Sequence, residues 1–122
     1  MIVLEQGIEK LIGFRMNGNA NGWHLTKFAV GDAPYYVPAS SQTGLVNQVF
    51  EKNLESIEVV SPRQIRITFV LTEEEANGHD ITELGLIGSD GTMFSVETFS
   101  RKVKTGRREM VFYIDDIWES DE

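Results

Sequence analysis

The chain contains no cysteine, only three prolines and two histidines in 122 residues, and far fewer basic than acidic side chains. Without thiols there can be no disulfide, no thiolate zinc site and no cysteine nucleophile, so thiol redox chemistry is excluded. Stability must come from packing, and a single domain near this length buries roughly two thirds of the surface its unfolded chain exposes. Eleven Lys and Arg against nineteen Asp and Glu leave a formal charge of −8, which opposes binding to a nucleic-acid backbone unless the basic residues gather on one face. No apolar run approaches the ~20 residues needed to span a bilayer. The first stretch, "MIVLEQGIEKLIGF", has neither the basic region nor the continuous apolar core and cleavage site of a signal peptide. The reading is a soluble protein, intracellular when made, with no membrane and no nucleic-acid partner.

Catalytic and metal-binding patterns are also missing. His79 and Asp80 stand near Glu73, Glu74 and Glu75, but their spacing matches no metal motif, and adjacent acids on a connector repel one another and face water. His24 lies in a strand pattern and reads as a surface or hydrogen-bonded histidine. "GSDG" and "NGNANG" lack the alternating acids and distal glutamate of a calcium loop and read as turns. No Ser–His–Asp pattern or phosphate-binding glycine loop occurs. The sequence therefore implies no enzyme, no metal and no cofactor.

What is present is patterning. Leu4, Ile8, Leu11 and Ile12 fall on one helical stripe, predicting a helix from Ile2 to Phe14 that Gly7 weakens. Period two begins at His24, with Phe28 and Val30 on one face and Ala29 on the other. "GDAPYYVPASS" predicts an ordered, irregular loop. Leu45, Val46, Val49 and Phe50 share a helical face, predicting a short second helix, with a strand as the alternative. Three hairpins follow: Ser56–Leu71 around "SPRQ", "DITELGLIGSDGTMFSVETF" around "GSDG", and "VETFS" with "EMVFYI" around the basic "RKVKTGRR". In the second, Leu84, Leu86, Phe94 and Val96 are assigned to one core face. The fold class is α+β, two N-terminal helices on antiparallel hairpins of about six to seven strands. Residues 1–114 form one domain, and 115–122 an acidic tail with Trp118 in it.

The candidate contact residues are the basic tip and the aromatics. Arg101, Lys102, Lys104, Arg107 and Arg108 could meet an acidic protein surface; no aromatic within the tip can stack on bases, which favours protein over nucleic acid. The acidic tail of a neighbouring copy is one such surface. Tyr35 and Tyr36, between two prolines, could form a platform for a peptide or sugar.

Three stretches in order, "LTKFAVGD", "YVPASSQTGLVNQVF" and "DITELGLIGSDGTMFSV", resemble the phage tail-collar fibre family, with "IEKLIGF" where that family begins. The resemblance implies a non-enzymatic structural virion protein without cofactor, an adaptor joining a fibre to the tail tip or baseplate of a phage or phage-like particle. It also implies partners among other tail or baseplate proteins, assembly in the host bacterial cytoplasm, and a homo-oligomer, a trimer by the precedent of the family's fibres. The alternative is a module binding host-surface glycans through Tyr35, Tyr36 and neighbouring loops.

Overall fold

The computed structural model describes residues 2–10, 24–62, 64–104 and 109–117. Within them the strands are β1 (Ile2–Val3), β2 (Leu25–Gly31), β3 (Gln48–Asn53), β4 (Ser56–Ser61), β5 (Gln64–Leu71), β6 (Asp80–Gly88), β7 (Met93–Val103) and β8 (Met110–Ile117). A short helix, α1, covers residues 5–10. The strands form two antiparallel sheets, one ordered β1-β7-β6-β2-β3 and the other β4-β5-β8.

Alternation along the strands builds two cores. Phe28 and Val30 of β2, Leu84 and Leu86 of β6, and Ile67, Phe69 and Leu71 of β5 are buried together between the sheets. The aromatic line continues across this core, with Phe28 and Phe69 ring centroids 4.6 Å apart and Phe69 stacked on Phe112 at 5.0 Å. On the outer face of the larger sheet, Leu4, Ala29, Ile87, Met93 and Val96 form a second cluster with Leu45 packed against it. The Leu4 amide donates to the Phe94 carbonyl (2.9 Å) and Glu5 to that of Ser40 (2.8 Å). Gln6 Nε2 donates to the Met93 carbonyl at 2.7 Å. Gly7 is part of this docking: a Cβ there would stand 2.5 Å from the Phe94 carbonyl oxygen, so the glycine permits close approach of α1 to the sheet.

The α+β expectation is overturned, because the described chain is mostly strand. Ile2 and Val3 pair with Val96 and Ser95, and helix begins only at residue 5; residues 11–14 of the expected first helix lie outside the described residues. The second expected helix is β3, which pairs along the edge of β2 from Lys27↔Asn53 to Gly31↔Gln48. Its helical spacing is coincidental: the free edge of β2 supplies hydrogen-bond partners that a short isolated helix lacks.

The β4–β5 hairpin forms in the expected alternation, with Ile57↔Ile67 and Val59↔Ile65. The β6–β7 hairpin also forms, closed by the turn in which Gly88 donates to the Thr92 carbonyl (2.9 Å) and Asp90 Oδ1 accepts from the Thr92 amide (3.0 Å). Its expected shared face does not hold: Val96 pairs with Gly85 and lies on the outer cluster, opposite Leu84 and Leu86. The third hairpin is replaced by a crossover. β8 pairs with β5, Leu71↔Met110 through Gln64↔Ile117, so the chain passes from one sheet to the other after β7. β8 also takes in residues 115–117 of the acidic tail.

Candidate protein interface

The connection from β2 to β3, residues 32–47, carries the two prolines and both tyrosines of the sequence platform. Its conformation is set by one carboxylate. Glu83, on β6 opposite Gly31, is fully buried and collects three donors from the loop. The Tyr36 hydroxyl donates to Oε1 at 2.6 Å, the Val46 amide to Oε1 at 2.9 Å and the Asn47 amide to Oε2 at 2.8 Å. A buried carboxylate is tolerated when its acceptor sites are filled in this way. Burial, and next the bond to Glu83, push the Tyr36 hydroxyl up to about 12. Gly31 makes room: a Cβ there would collide with the Glu83 side chain and stand 2.5 Å from the Asn47 carbonyl oxygen.

The ends of the loop are tied separately. Asp32 Oδ1 accepts from Asn47 Nδ2, and Asp32 Oδ2 lies 2.7 Å from His79 Nδ1. The His79 bond outweighs partial burial and, with Asn47, holds the Asp32 carboxyl below its usual value. Thr82 Oγ1 donates to the Ala33 carbonyl at 2.5 Å, and Thr98 Oγ1 to the Tyr36 carbonyl at 2.9 Å. Gln42 Nε2 donates to the Tyr36 hydroxyl (2.9 Å) and the Gly44 carbonyl (2.6 Å). Among the side chains this clasp leaves outside are two large apolar ones, Tyr35 at 68% and Val37 at 77% exposure.

Beside the clasped loop runs an open cleft of about 380 Å³. Ala33, Pro34, Tyr35 and Phe99 give it apolar walls, and Asp32, Asp80, Thr82 and Arg101 a polar rim. Arg101 pairs with Asp80 at 3.1 Å, and Lys102 Nζ lies 5.7 Å from the centroid of the Phe99 ring.

The structure thus brings Tyr35 and Arg101 together at the cleft, with Lys102 over Phe99, and turns Tyr36 inward to Glu83. Lys104 is buried, its Nζ 2.7 Å from Asn77 Oδ1 and 3.4 Å from the Glu73 carbonyl, so it is not part of an exposed tip. Arg107, Arg108 and Trp118 lie outside the described residues. One connector acid is engaged separately: Glu75 meets Lys52 Nζ (2.8 Å) and the Thr72 amide (2.8 Å). Despite the opposing effect of burial, these bonds hold the Glu75 carboxyl below its usual value. Among the described residues no three His, Cys, Asp or Glu side chains gather in a way that could hold a metal.

Sequence reasoning missed Glu83, Asp32 and Phe99. The signal for Glu83 was a single acid inside the apolar run "TELGLI", since a charged residue on a core strand needs dedicated partners.

The three stretches quoted above meet in this one network: "VGD" supplies Gly31 and Asp32, "QTGLVNQV" the Val46 and Asn47 amides, and "TELGLI" the Glu83 carboxylate. The family model for the phage tail-collar fibre protein, N-terminal, matches residues 1–112. The chain belongs to the phage tail-collar fibre family. No curated protein and no solved structure matches it. Membership in the tail-collar fibre family makes the chain a structural component of a phage tail fibre, and hence of a virion, working in contact with other tail proteins.

Proposed function

We propose that this tail-collar fibre domain is an attachment module that joins a fibre to the tail tip or baseplate, self-associates at the fibre base and performs no catalysis. The observation that carries this reading is the clasped loop: a buried carboxylate holds residues 32–47 with Tyr35 and Val37 facing solvent, and Tyr35 shares a cleft with Arg101. Preformed apolar and aromatic surface with a polar rim suits protein contact, because little ordering entropy is lost on docking.

The test is assembly of particles carrying Tyr35→Ala with Arg101→Glu. Both side chains are exposed, so the fold should survive, and electron microscopy should show particles whose tails lack fibres. Full fibre occupancy on such particles contradicts the reading. The aromatic walls of the cleft also suit a sugar ring, so binding of the isolated domain to host-surface glycans, with fibre occupancy unchanged in the variant, would favour the glycan-binding role instead.

A further inference from the structure

Among the described residues four strands lie at sheet edges, β1 and β3 in the larger sheet and β4 and β8 in the smaller. An edge strand presents a row of amides and carbonyls on which another chain can pair, and proteins blunt it with charge, a bulge or short length. β1 is two residues long. β3 carries Glu51 and Lys52, each in an ion pair, and β8 carries Asp115 and Asp116 side by side.

β4, "SIEVVS", differs from these. Its one charged residue is Glu58, and Ile57, Val59 and Val60 are 43%, 77% and 42% exposed. Branched apolar residues suit a strand inside a sheet, so this edge has an interior composition with surface exposure. A register shift between Val59 and Ser61 breaks its C-terminal end. Ser56 to Val59 stay in regular register with β5, from Ser56↔Thr68 to Val59↔Ile65.

Two copies of one edge strand can pair antiparallel about a two-fold axis, and residues directly opposite then share a face. Charge and regularity narrow the registers open to β4. With Glu58 on the axis, two carboxylates would stand opposite each other, which is destabilising. With Val59 on the axis, the pairing would run into the irregular end, and Glu58 would oppose the apolar Val60. With Ile57 on the axis, Ile57 meets Ile57, and on both sides Glu58 lies opposite Ser56, a carboxylate against a hydroxyl donor. Within its own sheet each Glu58 stands across from Arg66 and each Ile57 across from Ile67. Both faces of the joint therefore match, apolar with apolar and carboxylate with cation and donor.

Resting on the attachment reading, in which the domain self-associates, we propose that β4 is the surface of that association. Two copies join edge to edge about Ile57 and merge their three-stranded sheets into one of six strands. Main-chain hydrogen bonds supply the attraction, and the side chains set the register. A two-fold contact uses both edges and closes on itself, giving pairs where the precedent of the family's fibres implies threes.

The full chain permits two independent tests. Sedimentation should show a monomer–dimer equilibrium. Ser56→Glu sets two acid–acid contacts across the axis and should weaken the dimer about tenfold. Adding Glu58→Ser to the same chain exchanges the two residues and should restore the dimer, a rescue that general damage to the strand would not allow. The absence of native cysteine lets oxidation read the register without those variants. Mixed Ser56→Cys and Glu58→Cys proteins should give a cross-linked heterodimer well above that from Glu58→Cys mixed with a Glu74→Cys control.

Four results overturn the proposal: a monomer at every concentration, association unchanged by Ser56→Glu, no rescue by Glu58→Ser, or a heterodimer yield no greater than the control. Fibre occupancy of the Tyr35→Ala, Arg101→Glu particles is read separately. Fibreless particles without the specific cross-link would refute the edge pairing and leave the attachment role standing. A specific cross-link with normal fibres would do the reverse.

Discussion

The hydroxyl of Tyr36 lies 2.6 Å from the Glu83 carboxylate, across 47 residues of sequence. That bond and the two from the Val46 and Asn47 amides turn a long proline-containing connection into a fixed surface. Bonds to a carboxylate contribute ~1.5–3 kcal/mol each, and a buried donor left unmet costs ~1–3 kcal/mol. Val46 and Asn47 lie near solvent, so water recovers part of the loss, and Glu83→Ala should destabilise the fold by about 2–4 kcal/mol in urea unfolding. Tyr36→Phe removes one of the three bonds and should lose about 1–2 kcal/mol. A neutral result for Glu83→Ala would show that the loop is held by other contacts.

Tyr36 also gives a spectroscopic handle. Its folded value of about 12 lies above the unfolded value near 10, so its contribution to stability is complete below pH 10 and is lost as pH rises toward 12. Phenolate absorbance should show a late-titrating component that Tyr36→Phe abolishes. An unchanged titration curve in that variant contradicts the burial of this hydroxyl.

At the acid end the sign reverses. Asp32 and Glu75 are held below their ordinary carboxylate values, so the folded state binds their protons less readily than the unfolded chain does. Their stabilisation is complete above the unfolded values near 4 and falls away as pH drops through the lower, folded ones. Urea midpoints should decline below pH 4, and Asp32→Asn should flatten part of that decline. An identical acid profile for wild type and variant would remove Asp32 from the account.

Gly7→Ala sets two effects against each other. Helix propensity favours alanine by ~1 kcal/mol, but the added Cβ would stand 2.5 Å from a backbone oxygen of Phe94. Overpacking of this kind costs ~1–3 kcal/mol. The substitution should therefore lower the thermal midpoint, and a raised midpoint would mean that α1 is not pressed against β7.

The local parts of this fold were legible in the sequence, and the parts set by distant partners were not. Ile65, Ile67, Phe69 and Leu71 alternate cleanly, and turn residues flank them, so the β4–β5 hairpin could be read directly. β3 is not legible because Leu45 and Val46 before it and Val49 and Phe50 within it satisfy a helical spacing by chance, while the strand is imposed by the edge of β2. Val96 was placed on the wrong face because the register shifts between Leu86 and Ile87, and a one-residue slip exchanges the two faces of a strand. β8 was assigned to its neighbour in sequence, whereas its partner β5 lies across the crossover. Of the site, Tyr35 and Arg101 were legible as exposed types. Glu83 was not, because its meaning depends on donors 36, 37 and 47 residues away.

Amide hydrogen exchange at Val46 and Asn47 tests the clasp most directly. If Glu83 organises the surface, both amides are protected in the wild type, and in Glu83→Gln they exchange much faster while the amides of Phe28 and Leu86 in the core strands keep their protection. Fast exchange at Val46 and Asn47 in the wild type, or protection unchanged by Glu83→Gln, would contradict the account.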